Sequence, residues 1–130
     1  MPSTIRVLIV DDEERFRETL ARLLKAKGFD ATAAAGAQEA LDLLARESFH
    51  VALLDVKMPG MGGLEALEAM KRLAPSLEVL ALTGHASMDV AAAMLERGAA
   101  NYFLKPCPVG DLADAILQAV DRAKVAGGGE

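Results

Sequence analysis

Four short apolar runs in this chain each end on a residue that does not belong in a core. Ile5-Val10 leads into Asp11-Asp12, Val51-Leu54 into Asp55, Val79-Leu82 into Thr83, and Tyr102-Leu104 into Lys105. Short apolar runs without alternation read as strands buried on both faces, the kind found in parallel sheets. In an open parallel sheet the C-terminal strand ends share one edge, where ligands bind. That placement brings three carboxylates, a hydroxyl and an ammonium to one small site. The set suits a divalent cation and a phosphoryl group.

Helical spacing fills the intervals between the runs. Phe16, Leu20, Leu23 and Leu24 form a stripe that Gly28 closes as a C′ glycine. Asp30-Ala34 is an alanine-rich strand candidate, and Ala37-Arg46 reads as a helix with Ala40, Leu41 and Leu44 inward. His50-Leu54 is the third strand, and Pro59, Gly60, Gly62 and Gly63 mark a loop. Leu64, Leu67, Ala69, Met70 and Leu73 give a helix ended by Pro75, and Glu78-Leu82 is the fourth strand. Met88, Ala91, Met94 and Leu95 form a further stripe closed by Gly98, and Met88 and Met94 are expected in the core because they fit it. Ala100-Leu104 is the fifth strand, and Leu112, Ala115, Ile116, Ala119 and Val120 face inward on the last helix. Five β/α units of this kind predict an α/β fold: a doubly wound, five-stranded parallel sheet with helices on both faces and right-handed crossovers. Residues 4–124 are expected to form one domain, with 125–130 a flexible tail or the start of a linker.

With 130 residues and 52% apolar content, the chain can bury a substantial core. The net charge of -5 disfavours direct nucleic-acid binding, which needs a basic face. No apolar run approaches the ~20 residues of a membrane span. The first run ends in Asp11-Asp12, unlike a secretory signal. The single cysteine, Cys107, excludes an intrachain disulfide and fits a reducing, cytoplasmic setting.

Each candidate residue also has a plain structural reading. Asp11-Asp12 could cap a helix, with Glu13-Glu14 favouring the positive end of its dipole. Capping leaves Asp55, at the end of a different strand, without a role. Three carboxylates brought close together repel and call for a positive partner, for which Mg²⁺ is suited. His50 and His85 lack metal-ligand spacing. Thr83 could be a locally bonded strand residue, and Lys105 a surface charge. Together, however, they can bind the phosphoryl oxygens that a metal leaves over. Gly84 would keep such a site open. Pro106 admits a cis bond that would turn Lys105 toward the sheet edge, or a trans bond that merely breaks the strand.

The motifs Val10-Asp11-Asp12-Glu13, Leu54-Asp55-Val56-Lys57-Met58-Pro59-Gly60-Met61-Gly62-Gly63, Leu82-Thr83-Gly84-His85 and Tyr102-Phe103-Leu104-Lys105-Pro106 occur in this order at matching strand ends. In this combination the chain resembles the receiver domain of two-component response regulators over residues 4–123. The resemblance implies a flavodoxin-like fold with strand order 2-1-3-4-5. It implies that Asp55 accepts a phosphoryl group from a sensor histidine kinase or a histidine phosphotransfer protein. It further implies that Asp11, Asp12, Asp55 and the backbone carbonyl of Lys57 hold Mg²⁺, and that Lys105 and Thr83 bind phosphoryl oxygens. Such a domain is a phosphoacceptor that assists its own phosphorylation and dephosphorylation, not an enzyme acting on a separate substrate. Thr83, Tyr102 and Pro106 are the implied switch residues. The fourth helix, fifth strand and fifth helix are the implied surface, which controls an output domain or target protein and dimerises on phosphorylation in many relatives. Lys57 and His85 occupy positions that affect phosphoryl lifetime in such domains, although each could equally be solvated. Cys107 reads as a packing residue.

Two other classes compete. Phosphatases of the haloacid dehalogenase type also combine Asp, Thr and Lys on a parallel sheet. Their nucleophile lies on the first strand and their acidic pair comes late, the reverse of the order here. A phosphorylation-independent interaction module with the receiver fold is the remaining alternative, but such relatives usually lack one of the five residues. The segment Leu82-Thr83-Gly84-His85-Ala86 is similar to that of receivers attached to AAA+ transcription activators.

Overall fold

The computed structural model describes residues 4–56, 62–84 and 88–126, with side chains through 123. Ten elements alternate along the chain: β1 Arg6–Val10, α1 Glu14–Ala26, β2 Asp30–Ala34, α2 Ala37–Arg46, β3 Val51–Leu54, α3 Gly63–Leu73, β4 Glu78–Thr83, α4 Met88–Glu96, β5 Asn101–Leu104 and α5 Val109–Ala126. The strands form one sheet in the order β2-β1-β3-β4-β5, and every neighbouring pair is parallel. The expected fold class and strand order are therefore those of the molecule.

Side-chain alternation divides the sheet between two cores. Leu8, Val10, Ala52, Leu54, Val79 and Ala81 pack with Ala40 and Leu44 of α2, Leu67 and Met70 of α3, and Met94 of α4. Their sequence neighbours Val7, Ile9, Val51, Leu53, Leu80 and Leu82 point the other way, onto Leu20 and Leu24 of α1 and Leu112 and Ile116 of α5. The three central strands are thus buried on both faces, which explains their lack of alternation in hydropathy. Burying each Val, Leu or Ile among them contributes about 1.5–3 kcal/mol before the ordering cost. The edge strand β5 is only partly covered.

Helix ends follow local chemistry. Gly28 and Gly98 adopt φ of +97° and +110°, the left-handed conformation that ends α1 and α4. The fourth helical stripe needs correction. Met94 is fully buried, but Met88 is 88% exposed and Leu95 49% exposed. Met88 opens the helix, and Val90, not Met88, packs against the core with Met94. The last helix runs through Ala126, two residues into the segment assigned to the tail. Residues 127–130 lie outside the described residues.

Arg6, the one charge inside the first apolar run, braces the N-terminal edge of the sheet. Its guanidinium lies 3.3 Å from Asp30 Oδ2 and 2.6 Å from Glu47 Oε1, and it donates to the Ser48 carbonyl at 2.7 Å. It also covers the Phe49 ring at 4.5 Å.

Gly63, expected in the loop, is instead the first residue of α3. Its N–H donates to the Val56 carbonyl at 2.9 Å, tying the helix start back to the end of β3. A Cβ at this position would lie 2.5 Å from Val56 Cα and 2.6 Å from Val56 O. Backbone cannot yield as a flexible side chain can, so Gly63→Ala is expected to cost about 1–3 kcal/mol. Denaturant unfolding of the two chains would measure this; equal midpoints would refute the close approach.

Candidate functional site

The register of the sheet brings the candidate residues together. Val10 pairs with Leu54, and Leu54 with Ala81, so Asp11 and Asp55 emerge side by side one residue beyond their strands. Backbone bonds continue the ladder through these ends. Asp11 N–H donates to Ala34 O at 3.1 Å, Asp55 N–H to Val10 O at 2.9 Å, and Lys105 N–H to Thr83 O at 2.8 Å.

Among the described residues, the buried polar or charged ones are Asp11, Asp55 and Thr83, at 2%, 6% and 0% exposure. All three are strand-end residues singled out in the sequence. Burying a carboxylate is costly unless it is paired, and the ammonium of Lys105 supplies much of the pairing. Its Nζ lies 2.6 Å from Asp11 Oδ2, 3.5 Å from Asp55 Oδ2 and 3.1 Å from Glu13 Oε1. Asp11 Oδ1 accepts the Glu13 N–H at 2.9 Å. This bond is the local turn geometry of an Asp ahead of a helix, so part of the capping reading holds. The residue at the cap itself is Glu13, whose side chain makes no capping bond. Arg17 donates to the Asp11 carbonyl at 3.4 Å.

Electrostatics follow from this packing. Burial pushes the Asp11 carboxyl above its ordinary value; the Lys105 and Glu13 N–H contacts oppose this, and the Asp55 charge adds to it. For Lys105, burial favours the neutral amine. The carboxylates of Asp11 and Glu13, with Asp55 further off, outweigh that and hold its value above the ordinary one. Counted as formal charges, the carboxyls of Asp11, Asp12, Glu13 and Asp55 outnumber the ammonium of Lys105. Asp11, Asp12 and Asp55 can each bring one oxygen within 4.8 Å of the others. This is an all-carboxylate set of hard donors, which fits a small divalent cation such as Mg²⁺ and not a thiophilic metal.

Thr83 and Tyr102 lie on the other face of the sheet edge. Ala81 pairs with Tyr102, and the ring packs half-buried against the core beneath α3 and α4. The Lys105-Pro106 peptide is cis. Cys107 is half-buried against the α1/α5 core, and burial, with Asp111 nearby, pushes its thiol up, which suits a packing residue. Lys57 and His85 lie outside the described residues. Two further contributors, read in the sequence only as a helix-start acid and a stripe residue, also meet Lys105. Glu13 shares the ammonium, and the Phe16 ring lies 4.1 Å from it. The (i, i+3) spacing of Glu13 and Phe16 is the signal that could have found them.

Lys105→Met would leave Asp11 and Asp55 without their ammonium. In the metal-free chain this is expected to cost roughly 1–3 kcal/mol at neutral pH, less than for a fully enclosed pair because the site opens to water. A carboxyl whose folded value is raised holds its proton more readily in the fold, so the penalty should shrink as pH falls through the carboxylate range. The raised lysine value makes the opposite limb. Its stabilisation is present at neutral pH and is lost as pH rises past the ordinary lysine range, a step that the variant should lack. Chemical denaturation across pH would measure both, and parallel curves for the two chains would refute the pairing.

Comparison with known proteins agrees with this arrangement. The family model of the response regulator receiver domain matches residues 7–117. Over 111 residues the chain is 33% identical to sporulation initiation phosphotransferase F of Bacillus subtilis, covering 85% of this chain and 90% of that protein. It is 37% identical to the response regulator protein FleR of Pseudomonas aeruginosa, covering 87% of this chain but only 24% of FleR. A receiver domain crystal structure (CheY-like) from Methanospirillum hungatei superposes with a TM-score of 0.91 at 34% identity, covering 95% of this chain and 99% of that one. A response regulator protein from Burkholderia pseudomallei, solved with a phosphorylated aspartic acid, a calcium ion and citrate, superposes at 0.83 with 31% identity, over 95% of this chain and 73% of that one. In fold, in strand-end chemistry and in sequence, this chain belongs to the receiver domain family of two-component response regulators.

Proposed function

We propose that residues 4–124 form a receiver in which Asp55 is the phosphoacceptor. The observation that carries this reading is the placement of the buried polar residues. Among the described residues they are Asp11, Asp55 and Thr83, all at C-terminal strand ends, with the Lys105 ammonium reaching both carboxylates. A carboxylate oxygen of Asp55 attacks the phosphorus of a phosphohistidine on a partner protein. The new P–O bond forms as the P–N bond breaks, and the imidazole keeps the nitrogen electron pair. Lys105 binds one phosphoryl oxygen and the Thr83 hydroxyl another. Asp11 and Asp12, with Asp55 and the carbonyl of Lys57, would hold Mg²⁺, which when bound neutralises phosphoryl charge. The Burkholderia relative, solved with a phosphorylated aspartic acid and a calcium ion, supports an aspartate as the acceptor.

The new phosphoryl charge draws Thr83 inward, and Tyr102, half-buried on the same face, turns into the space left. The face formed by α4, β5 and α5 then changes its affinity for an output domain, a target protein or a second copy. Exposed Met88 and Leu95 of α4 and Leu104 of β5 lie on these elements and suit such contacts. The partners are a sensor histidine kinase or histidine phosphotransfer protein, in the cytoplasm. No helix of the described residues is long and apolar enough to cross a membrane.

Incubation with acetyl phosphate and Mg²⁺ is expected to add one phosphoryl group by intact mass, with none on Asp55→Ala or without the metal. A folded chain that takes up nothing from either acetyl phosphate or a phosphorylated histidine partner would leave an interaction module instead. Mg²⁺ at a hundred times its dissociation constant should stabilise the fold by about 2.7 kcal/mol. Asp12→Asn should lose most of that shift in a thermal melt; full retention would remove Asp12 from the ligand set.

A further inference from the structure

Lys105 is held by more than its carboxylates. Glu13 and Phe16 stand one helical turn apart at the start of α1 and meet the same ammonium, Glu13 Oε1 at 3.1 Å and the Phe16 ring centroid at 4.1 Å. The apolar stripe of α1 explains a hydrophobic residue at position 16, since Phe16 packs against the α1/α5 core. It does not explain a ring with a cation seated against it. We infer that Phe16 is a positioning residue for the phosphorylation chemistry, its ring keeping the Lys105 ammonium at the acceptor when the Asp11 carboxylate is drawn to a cation. This rests on the reading of Asp55 as phosphoacceptor.

The reasoning is one of competing partners. The shortest contact of Lys105 is with Asp11, at 2.6 Å. Asp11 is also one of the three carboxylates that can converge on a cation. An oxygen turned toward a cation holds an ammonium less well. Glu13, whose side chain is 65% exposed, would then pull the lysine outward toward water. A ring face neither binds Mg²⁺ nor takes a proton, and its attraction for a cation does not depend on which anion lies in front. It can therefore hold Nζ near Asp55 Oδ2, now at 3.5 Å, while the anion partner changes from Asp11 to a phosphoryl oxygen.

The test compares Phe16→Leu, which keeps an apolar side chain, with Phe16→Tyr, which keeps the ring. Two quantities are read on chains whose amide spectra are those of folded protein. One is the rate constant for phosphorylation by acetyl phosphate at saturating Mg²⁺. The other is the ring-current shift of the Lys105 ε-methylene protons, assigned by their loss in Lys105→Met. The leucine chain should lose the upfield shift and react roughly five- to tenfold more slowly, while the tyrosine chain should retain the shift and most of the rate. A shift unchanged by leucine, a shift lost with no change in rate, or a tyrosine chain as slow as the leucine chain would each overturn the inference. If the wild-type chain itself takes up no phosphoryl group, the receiver reading fails and the inference falls with it, a result distinct from equal uptake by all three chains.

Discussion

The arrangement depends on negative charge gathered where a parallel sheet ends. Asp11 and Asp55 are buried side by side, Asp12 stands at their edge, and such a group repels itself strongly in a medium less polar than water. The fold tolerates it because the last strand of the sheet delivers Lys105 across the edge to both buried carboxylates. The two raised values have different causes: burial, with a smaller push from Asp55, raises Asp11, while the carboxylates around the ammonium raise Lys105 against its own burial. Carboxyls gathered at one edge favour a ligand that brings positive charge.

The two cores divide the labour. On the side of α1 and α5 lie the lysine, its ring and the carboxylates. On the side of α2, α3 and α4 lie Tyr102 and the core it packs against. Thr83 belongs to β4, where alternation places it with Val79 and Ala81 on the second side. β4 therefore borders both sides, with Leu80 and Leu82 on the first and Val79 and Ala81 on the second. In α4 the buried anchor is Met94, while Met88 and Leu95 face outward.

Most of the fold was legible because its determinants are local. Apolar runs, helical stripes and closing glycines report on neighbours along the chain, and the ten elements fall where those signals put them. The departures have physical reasons. Gly63 looked like loop material, but the close approach of Val56 that demands a glycine is not encoded in spacing. Met88 fits a helical period but opens its helix, and periodicity does not state which side of a short helix meets the sheet. Arg6 interrupts an apolar run, and only the tertiary structure brings Asp30, Glu47 and Phe49 around it.

The sequence by itself determined the architecture and the membership of the site, because strand-end residues of a parallel sheet must share an edge. It also determined the chemical character of that edge: three carboxylates, a hydroxyl and an ammonium. Only the tertiary structure decided how these groups divide among partners. Lys105 sits closest to Asp11 and not to Asp55, Glu13 takes a share, and the ring of Phe16 backs the ammonium. Those choices turn on differences of about an ångström between side chains far apart in the chain. They are set by the register of the sheet and by the seating of α1 against it, and neither quantity is written in any local stretch of residues.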